Sequence, residues 1–419
     1  MNKAQVTSQQ ISAPGFRPVP KTGVIYVMSR AKEYGYGENP EEWANLGQGA
    51  PETGEIAGAP ERLLNWSFTT DDLEYAPVDG MPELKAAVAE LYNARHRDGK
   101  SSKYTEDNVA ICSGGRLAVT RAVSALGRTN VGHFLPDYTA YEELLDSFSS
   151  FVPIPILLDS KNKFEFNPER LKEEILGKGL SSLLLSNPCN PTGKLVTGAE
   201  LEIWTQVARE HQCTMIFDEF YSHYLYDSKE LSNSAASYVE DVNEDPVILI
   251  DGLTKNWRYP GFRVSWTVGP KSVIEAVSSA GSFIDGGCAR PIQLAAVQLL
   301  DRSIADQEAK AIQNLFAEKR KFMVDGLAKL GIEVESVPEG GFYCWGSLAG
   351  LKGEMSNSMH FFEEALKAKV ITVPGIFFDI NPGQRRPDRP SRFTNFCRFS
   401  FGPSLEELER GLNSLKSIV

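Results

Sequence analysis

The sequence lacks a C-x-x-C pair among its six cysteines, and its five histidines show neither H-x-H nor H-E-x-x-H spacing. Those absences remove the common zinc-binding signatures, and no metal site is expected. Most of the cysteines sit in apolar runs, so they read as small buried hydrophobes in a reducing compartment. Long apolar stretches are also missing. VPIPILL from Val152, one of the longest, is far too short to span a bilayer. The opening MNKAQVTSQQ has no apolar core of a secretion signal, so a cytoplasmic location is expected. Positive charge is scarce: 43 Lys and Arg stand against 55 Asp and Glu, a net charge of -12. A nucleic-acid partner is not expected of such a chain, and any anionic ligand needs a local basic pocket.

What is present is ample chain for a core. The 419 residues fit a two-domain enzyme or one large α/β unit. After a polar arm over residues 1–23 and a loop rich in Gly, Pro and Ala over 45–60, short β-rich runs alternate with helical patterns. The expected strands are Val109–Cys112, Val131–Leu135, Phe151–Leu157, Ser182–Ser186, Thr214–Asp218, Val247–Asp251 and Arg263–Gly269. Several are near-continuous apolar runs, as strands buried on both faces require. Helices are expected over Pro82–His96, Arg116–Gly127, Ala199–His211 and Ile304–Leu330. This alternation means a mainly parallel sheet wrapped by helices, whose ligands sit beyond the carboxyl ends of the strands. From residue 304 the pattern becomes a long charged helix, a mixed region and a closing amphipathic helix over Ser404–Ile418, which reads as a smaller α+β domain. GQRRPDRPSR (Gly383–Arg392) reads as a solvated loop, with a lid or substrate contact as the other reading.

Three sites at strand ends carry chemistry. Ser186-Asn187-Pro-Cys-Asn-Pro-Thr-Gly193 is a rigid turn that aims Asn190 outward. Asp218, with Tyr221 three residues on, ends an apolar strand. A buried carboxylate there needs a cationic partner, and a protonated pyridine nitrogen is one. Lys255 follows the next strand, with Arg263 eight residues later. Burial and a nearby cation depress a lysine pKa enough for Schiff-base chemistry. Taken singly, each has a plainer reading: a proline-rich turn, a helix-capping aspartate, a solvated lysine.

Together and in this order, the three resemble the class I/II aminotransferases of the fold-type I pyridoxal-phosphate enzymes, from about Asn45 to the C-terminus. The resemblance implies a seven-stranded, mainly parallel sheet in a large domain over 61–303. It adds an arm and part of a small domain over 1–60, and the rest of the small α+β domain over 304–419. It implies pyridoxal 5'-phosphate, with Lys255 as the Schiff-base and proton-shuttling lysine and Asp218 paired with the pyridine nitrogen. Tyr221 and Asn190 match the pair on the cofactor's 3' oxygen, and Arg263 the phosphate-binding arginine. Gly115 and Arg116 lie in the phosphate loop (Ser113–Ala118). Tyr138 matches the aromatic residue that stacks on the ring, and Tyr75 the tyrosine that reaches the phosphate of the neighbouring subunit, which implies a homodimer with shared sites. Arg398 and Gly49 match the α-carboxylate site, and Val373-Pro374-Gly375 the loop that closes over the substrate. The substrates implied are an α-amino acid and a 2-oxo acid.

The sequence departs from the family pattern in places. Gly252 stands where a phosphate-binding serine is usual, while Thr254 keeps a hydroxyl beside the lysine. Asn256-Trp257-Arg258-Tyr259-Pro260 is bulky where small residues are the rule, and is expected to narrow the site or touch a partner. Arg290 reads either as an ordinary helix-start arginine or as a contact for a distal carboxylate. Transamination is the leading expectation. Elimination, decarboxylation or cyclisation of an amino acid on the same fold is the alternative, and a non-catalytic regulator a third.

Overall fold

A computed structural model describes residues 14–16, 19, 21, 23–148, 150–386 and 389–419. Most of the expected N-terminal arm therefore lies outside the described residues, as do Pro387 and Asp388 of the arginine-rich loop.

The chain enters through α1 (Gly23–Glu33) and a two-residue strand, β1 (Ala44–Asn45). Helix α2 (Pro82–His96) starts on a proline at N1, where the missing N–H costs nothing. The central sheet follows: β2 (Val109–Cys112), β3 (Asn130–Leu135), β4 (Val152–Leu157), β5 (Leu180–Ser186), β6 (Thr214–Asp218), β7 (Val247–Gly252) and β8 (Ser265–Val268). Their spatial order is β2-β8-β7-β6-β5-β3-β4, with β8 antiparallel to both its neighbours and the remaining pairs parallel. Strands β2, β7 and β8 are buried along their whole length, which explains the apolar runs of β2 and of β7 up to Ile250; β8 carries Ser265 and Thr267 among its buried residues.

Helices α3 (Gly115–Ser124), α4 (Tyr141–Asp146), α5 (Pro168–Lys178), α6 (Gly198–His211), α7 (Lys271–Ile284) and α8 (Arg290–Ala296) connect these strands or follow the last of them. Helices α4, α5 and α7 are not among those expected from the sequence. Helix α5 nevertheless carries full punctuation: the Asn167 side chain accepts from Arg170 N at 2.8 Å, Pro168 is at N1, and Gly179 closes the helix in the left-handed region.

The 28-residue α9 (Arg302–Lys329), capped by Asp301, leads to a three-stranded antiparallel sheet ordered β11-β12-β9, from β9 (Tyr343–Ser347), β11 (Val373–Pro374) and β12 (Phe396–Ser400). Helices α10 (Ser358–Lys367) and α11 (Leu405–Leu415) and the strand β10 (Val370–Ile371) complete this part. Strand β1 pairs in parallel with β10, so the chain's early residues are stitched to its late ones.

One expectation changes here. Of the run Asn256–Pro260, residues 256–259 face the core, and Pro260 alone of the five belongs to the lining of the site. Arg258 is fully buried, with Nε donating to Glu308 at 2.7 Å and Nη1 to the carbonyls of Glu52 and Gly54. Trp257 Nε1 donates to Leu299 O, and Tyr259 Oη accepts from Leu63 N. The bulk fills space between the lysine loop, α9 and the 52–63 segment. Gly383–Arg392 stays largely exposed as expected, with Arg386 and Ser391 half-buried among its described residues, and it is tethered at a few points. Arg386 pairs with Asp379 at 2.6 Å, and Gln384 donates to Glu142.

Candidate active site

The carboxyl ends of β2, β5, β6 and β7 lie on one edge of the sheet, so Cys112, Ser186, Asp218 and Gly252 deliver their following loops to a single place. A cavity of about 500 Å3 opens there. It gathers Gly49, Gly115, Arg116, Tyr138, Asn190, Asp218, Tyr221, Thr254, Lys255, Arg263 and Arg398, eleven of the twelve residues singled out from sequence.

Asp218 is buried at the end of β6, and Tyr141 Oη donates to its Oδ2 at 2.7 Å. Burial pushes its carboxyl up to about 6, against the opposing pull of that hydrogen bond. Lys255 Nζ donates to Gly49 O. Burial depresses its amine to about 7, and the Arg398, Arg263 and Arg116 cations push the same way. A lysine neutral near pH 7 is a nucleophile, and it shares the cavity with a carboxylate whose field opposes that shift.

The polar end of the cavity is built for an anion. Gly114 has a φ of +91°, a left-handed conformation suited to glycine, and any Cβ there would collide with the Arg263 guanidinium. A Cβ on Gly115 would strike the Phe220 ring. The two glycines thus let α3 present its N-terminal N–H groups beside Arg263 and Arg116. Thr254 Oγ1 is buried without a hydrogen-bond partner. An orphaned hydroxyl, two arginines and a glycine-lined helix start fit a phosphate group. The Gly252 departure also has a steric cause. A Cβ there would lie 2.6 Å from both Ser265 Cα and Val264 O, so backbone crowding excludes serine.

At the opposite side, the buried Arg398 reaches from β12. Its Nη1 donates to Asn190 Oδ1 at 2.9 Å and its Nη2 to Gly47 O at 2.5 Å, while Nε has no partner. Its guanidinium lies over the Tyr343 ring, 4.2 Å from the centroid. Asn190 is fixed in turn: its N–H donates to Ser186 Oγ, which donates to Asp137 Oδ1, which also accepts from Tyr138 N. Tyr138 Oη accepts from the Arg116 guanidinium at 3.3 Å.

Some expectations fall outside this assembly. Tyr75 is 94% exposed and lines no part of the cavity of its own chain. Val373-Pro374-Gly375 is not a loop over the cavity. It is buried strand and turn, with Gly375 packed against the backbone of Phe393 and Phe396. Arg290 opens α8 and lies 3.8 Å from Asp72. Tyr141 and Tyr343 belong to the site but are not among the residues expected from sequence, whereas Ser186 opens the expected turn. Tyr141 had a signal, since a carboxylate buried at a strand end needs a donor and Tyr141 belongs to the same segment as Tyr138. Tyr343 had none, because its place depends on how the β9 sheet docks.

Comparison with known proteins assigns the fold and the site to a family. The family described as aminotransferase class I and II matches residues 41–415. The chain belongs to the class I and II aminotransferases. The aspartate aminotransferase of Streptomyces avermitilis is 26% identical over 82% of this chain and 81% of its own length. That of Pyrococcus horikoshii is 25% identical over 90% of each. Among solved structures, the Thermus thermophilus aspartate aminotransferase with maleate aligns with a TM-score of 0.78 at 22% identity, over 100% of this chain and 98% of that one. An aromatic aminotransferase from Pyrococcus horikoshii aligns with a TM-score of 0.74 at 23% identity, over 93% and 98%.

Proposed function

We propose that this aminotransferase uses pyridoxal 5'-phosphate to move an amino group from an α-amino acid to a 2-oxo acid, with Lys255 as the reactive amine. The observation that carries the reading is one cavity holding a lysine depressed to about 7, a buried carboxylate and a glycine-and-arginine anion site.

When bound, pyridoxal phosphate supplies an aldehyde and a pyridinium ring that accepts electrons. Arg263, Arg116, Thr254 and the start of α3 hold its phosphate. Asp218, aligned by the Tyr141 hydroxyl, offers its negative charge to the ring nitrogen. Asn190 and Tyr221 would hold the ring oxygen, and Tyr138 would lie against the ring. Arg398 clamps the substrate α-carboxylate, and its unpartnered Nε is free for that contact. Lys255 Nζ, neutral once pH exceeds about 7, would take the proton from the substrate Cα.

The active unit is a homodimer in which Tyr75, extended from its own chain, completes the cavity of the other subunit. Its 94% exposure supports this placement. An N-terminal arm and part of the small domain lie within 1–60, the rest of the small domain within 304–419 and the large domain within 61–303; the β1–β10 pairing supports that grouping. Six unpaired cysteines fit a reducing, cytoplasmic setting. Among the described residues no helix is long and apolar enough to cross a membrane.

The test is a spectral screen of holoenzyme against single amino acids. Conversion of the cofactor band to the aminated form by at least one amino acid, reversed by a 2-oxo acid, is the expected result. Release of ammonia or of carbon dioxide, with no acceptor required, would contradict transamination.

A further inference from the structure

Tyr343 lies on β9, is 1% exposed overall and lines the cavity. Three contacts fix it. Its Oη is 2.8 Å from Tyr221 Oη. The two rings meet edge to face, 5.5 Å apart and at 80°. Its ring face carries the Arg398 guanidinium. The backbone on the far side is tailored to the same hydroxyl, because a Cβ at Gly49 would overlap Tyr343 Oη. Gly49 therefore has a reason to be glycine besides its nearness to the carboxylate site.

Only one proton can lie between the two hydroxyl oxygens. If Tyr221 donates to a ligand oxygen in the cavity, Tyr343 has to donate to Tyr221. Both phenols stay protonated at neutral pH. Burial pushes Tyr221 well up and Tyr343 up to about 12, with Arg398 opposing the rise at Tyr343. A cation over the ring makes a phenol a stronger donor, and a donated hydrogen bond makes the receiving hydroxyl a stronger donor in its turn.

We propose that Tyr343 is a positioning residue: its hydroxyl donates to Tyr221 Oη and thereby directs the Tyr221 proton into the cavity. The inference rests on the cofactor reading above and adds to it a relay, Tyr343 to Tyr221 to ring oxygen, anchored by Arg398. The relay does no chemistry itself. It withdraws electron density from the ring oxygen and so lowers the pH at which the lysine-bound chromophore loses its proton.

The experiment is a double-mutant cycle read by absorbance titration of resting holoenzyme, without substrate. Tyr343→Phe should raise the chromophore's pH midpoint, in the same direction as Tyr221→Phe and by less. In the Tyr221→Phe background, Tyr343→Phe should leave the midpoint where it was. Replacing Tyr343 by 3-fluorotyrosine, which keeps the hydroxyl and makes it a stronger donor, should lower the midpoint and serves as the packing control. An unchanged midpoint in Tyr343→Phe would overturn the proposal. So would an equal shift in both backgrounds, since a packing role does not require Tyr221. A wild-type protein that forms no chromophore at all would instead defeat the cofactor reading, and the relay with it.

Discussion

At the residue scale, the site sets ionisable groups against their usual behaviour. Asp218 is held up to about 6 from a usual 3.8, mainly by burial. Between those values the folded apoenzyme binds more protons than the unfolded chain, so stability falls as pH rises through that window. Apoenzyme carrying Asp218→Asn should therefore exceed wild type in stability above pH 6, by up to about 3 kcal/mol, with the difference fading below about pH 4. Urea titrations at pH 4 and pH 7 measure this. The same variant should bind the cofactor poorly, because the carboxylate's charge is what answers the ring nitrogen. Gly114 gives a second case. Gly114→Ala adds a Cβ against Arg263 at a φ of +91°. It should weaken pyridoxal phosphate binding by about 1–2 kcal/mol, roughly tenfold, in a fluorescence titration.

At the element scale, strands such as β2, β6 and β7 were legible because burial on both faces writes them as largely apolar runs. Thr214–Asp218 and Val109–Cys112 match their expected bounds. The motif residues were legible for a related reason: Asn190, Asp218 and Lys255 sit at or just beyond the ends of such strands, where ligands gather. What the sequence hid is long-range. The destination of Trp257–Tyr259 depends on where Glu308 of α9 arrives, 50 residues later than Arg258. Tyr343 enters the cavity because β9 pairs with β12, which carries Arg398. Neither pairing leaves a local pattern. The Arg258–Glu308 contact is a buried ion pair, and Arg258→Met leaves the buried carboxylate only its longer contact with Arg62, at 3.4 Å. It should cost about 3 kcal/mol of stability, read from the denaturation midpoint.

At the scale of the whole molecule, the N- and C-terminal parts of the chain meet over the sheet edge. Arg398 in β12 touches Gly47 and Asn190 at once, so carboxylate recognition joins three distant segments. Arg398→Lys keeps the charge but loses the planar fork, and should raise KM with a smaller change in kcat. Tyr75 extends this logic to a second copy. Mixing inactive Lys255→Ala with poorly active Tyr75→Ala should recover roughly a quarter of wild-type turnover, since half of the dimers then contain one intact site. No recovery, with dimers demonstrated by sedimentation, would remove Tyr75 from the shared site.

The account depends most on the amine of Lys255. Purified protein supplied with pyridoxal phosphate can be reduced with borohydride, digested and mapped by mass spectrometry. The account predicts a stable pyridoxyl adduct on the peptide containing Lys255, absent when Lys255 is alanine. Recovery of that peptide unmodified, or the adduct on another lysine, would contradict it.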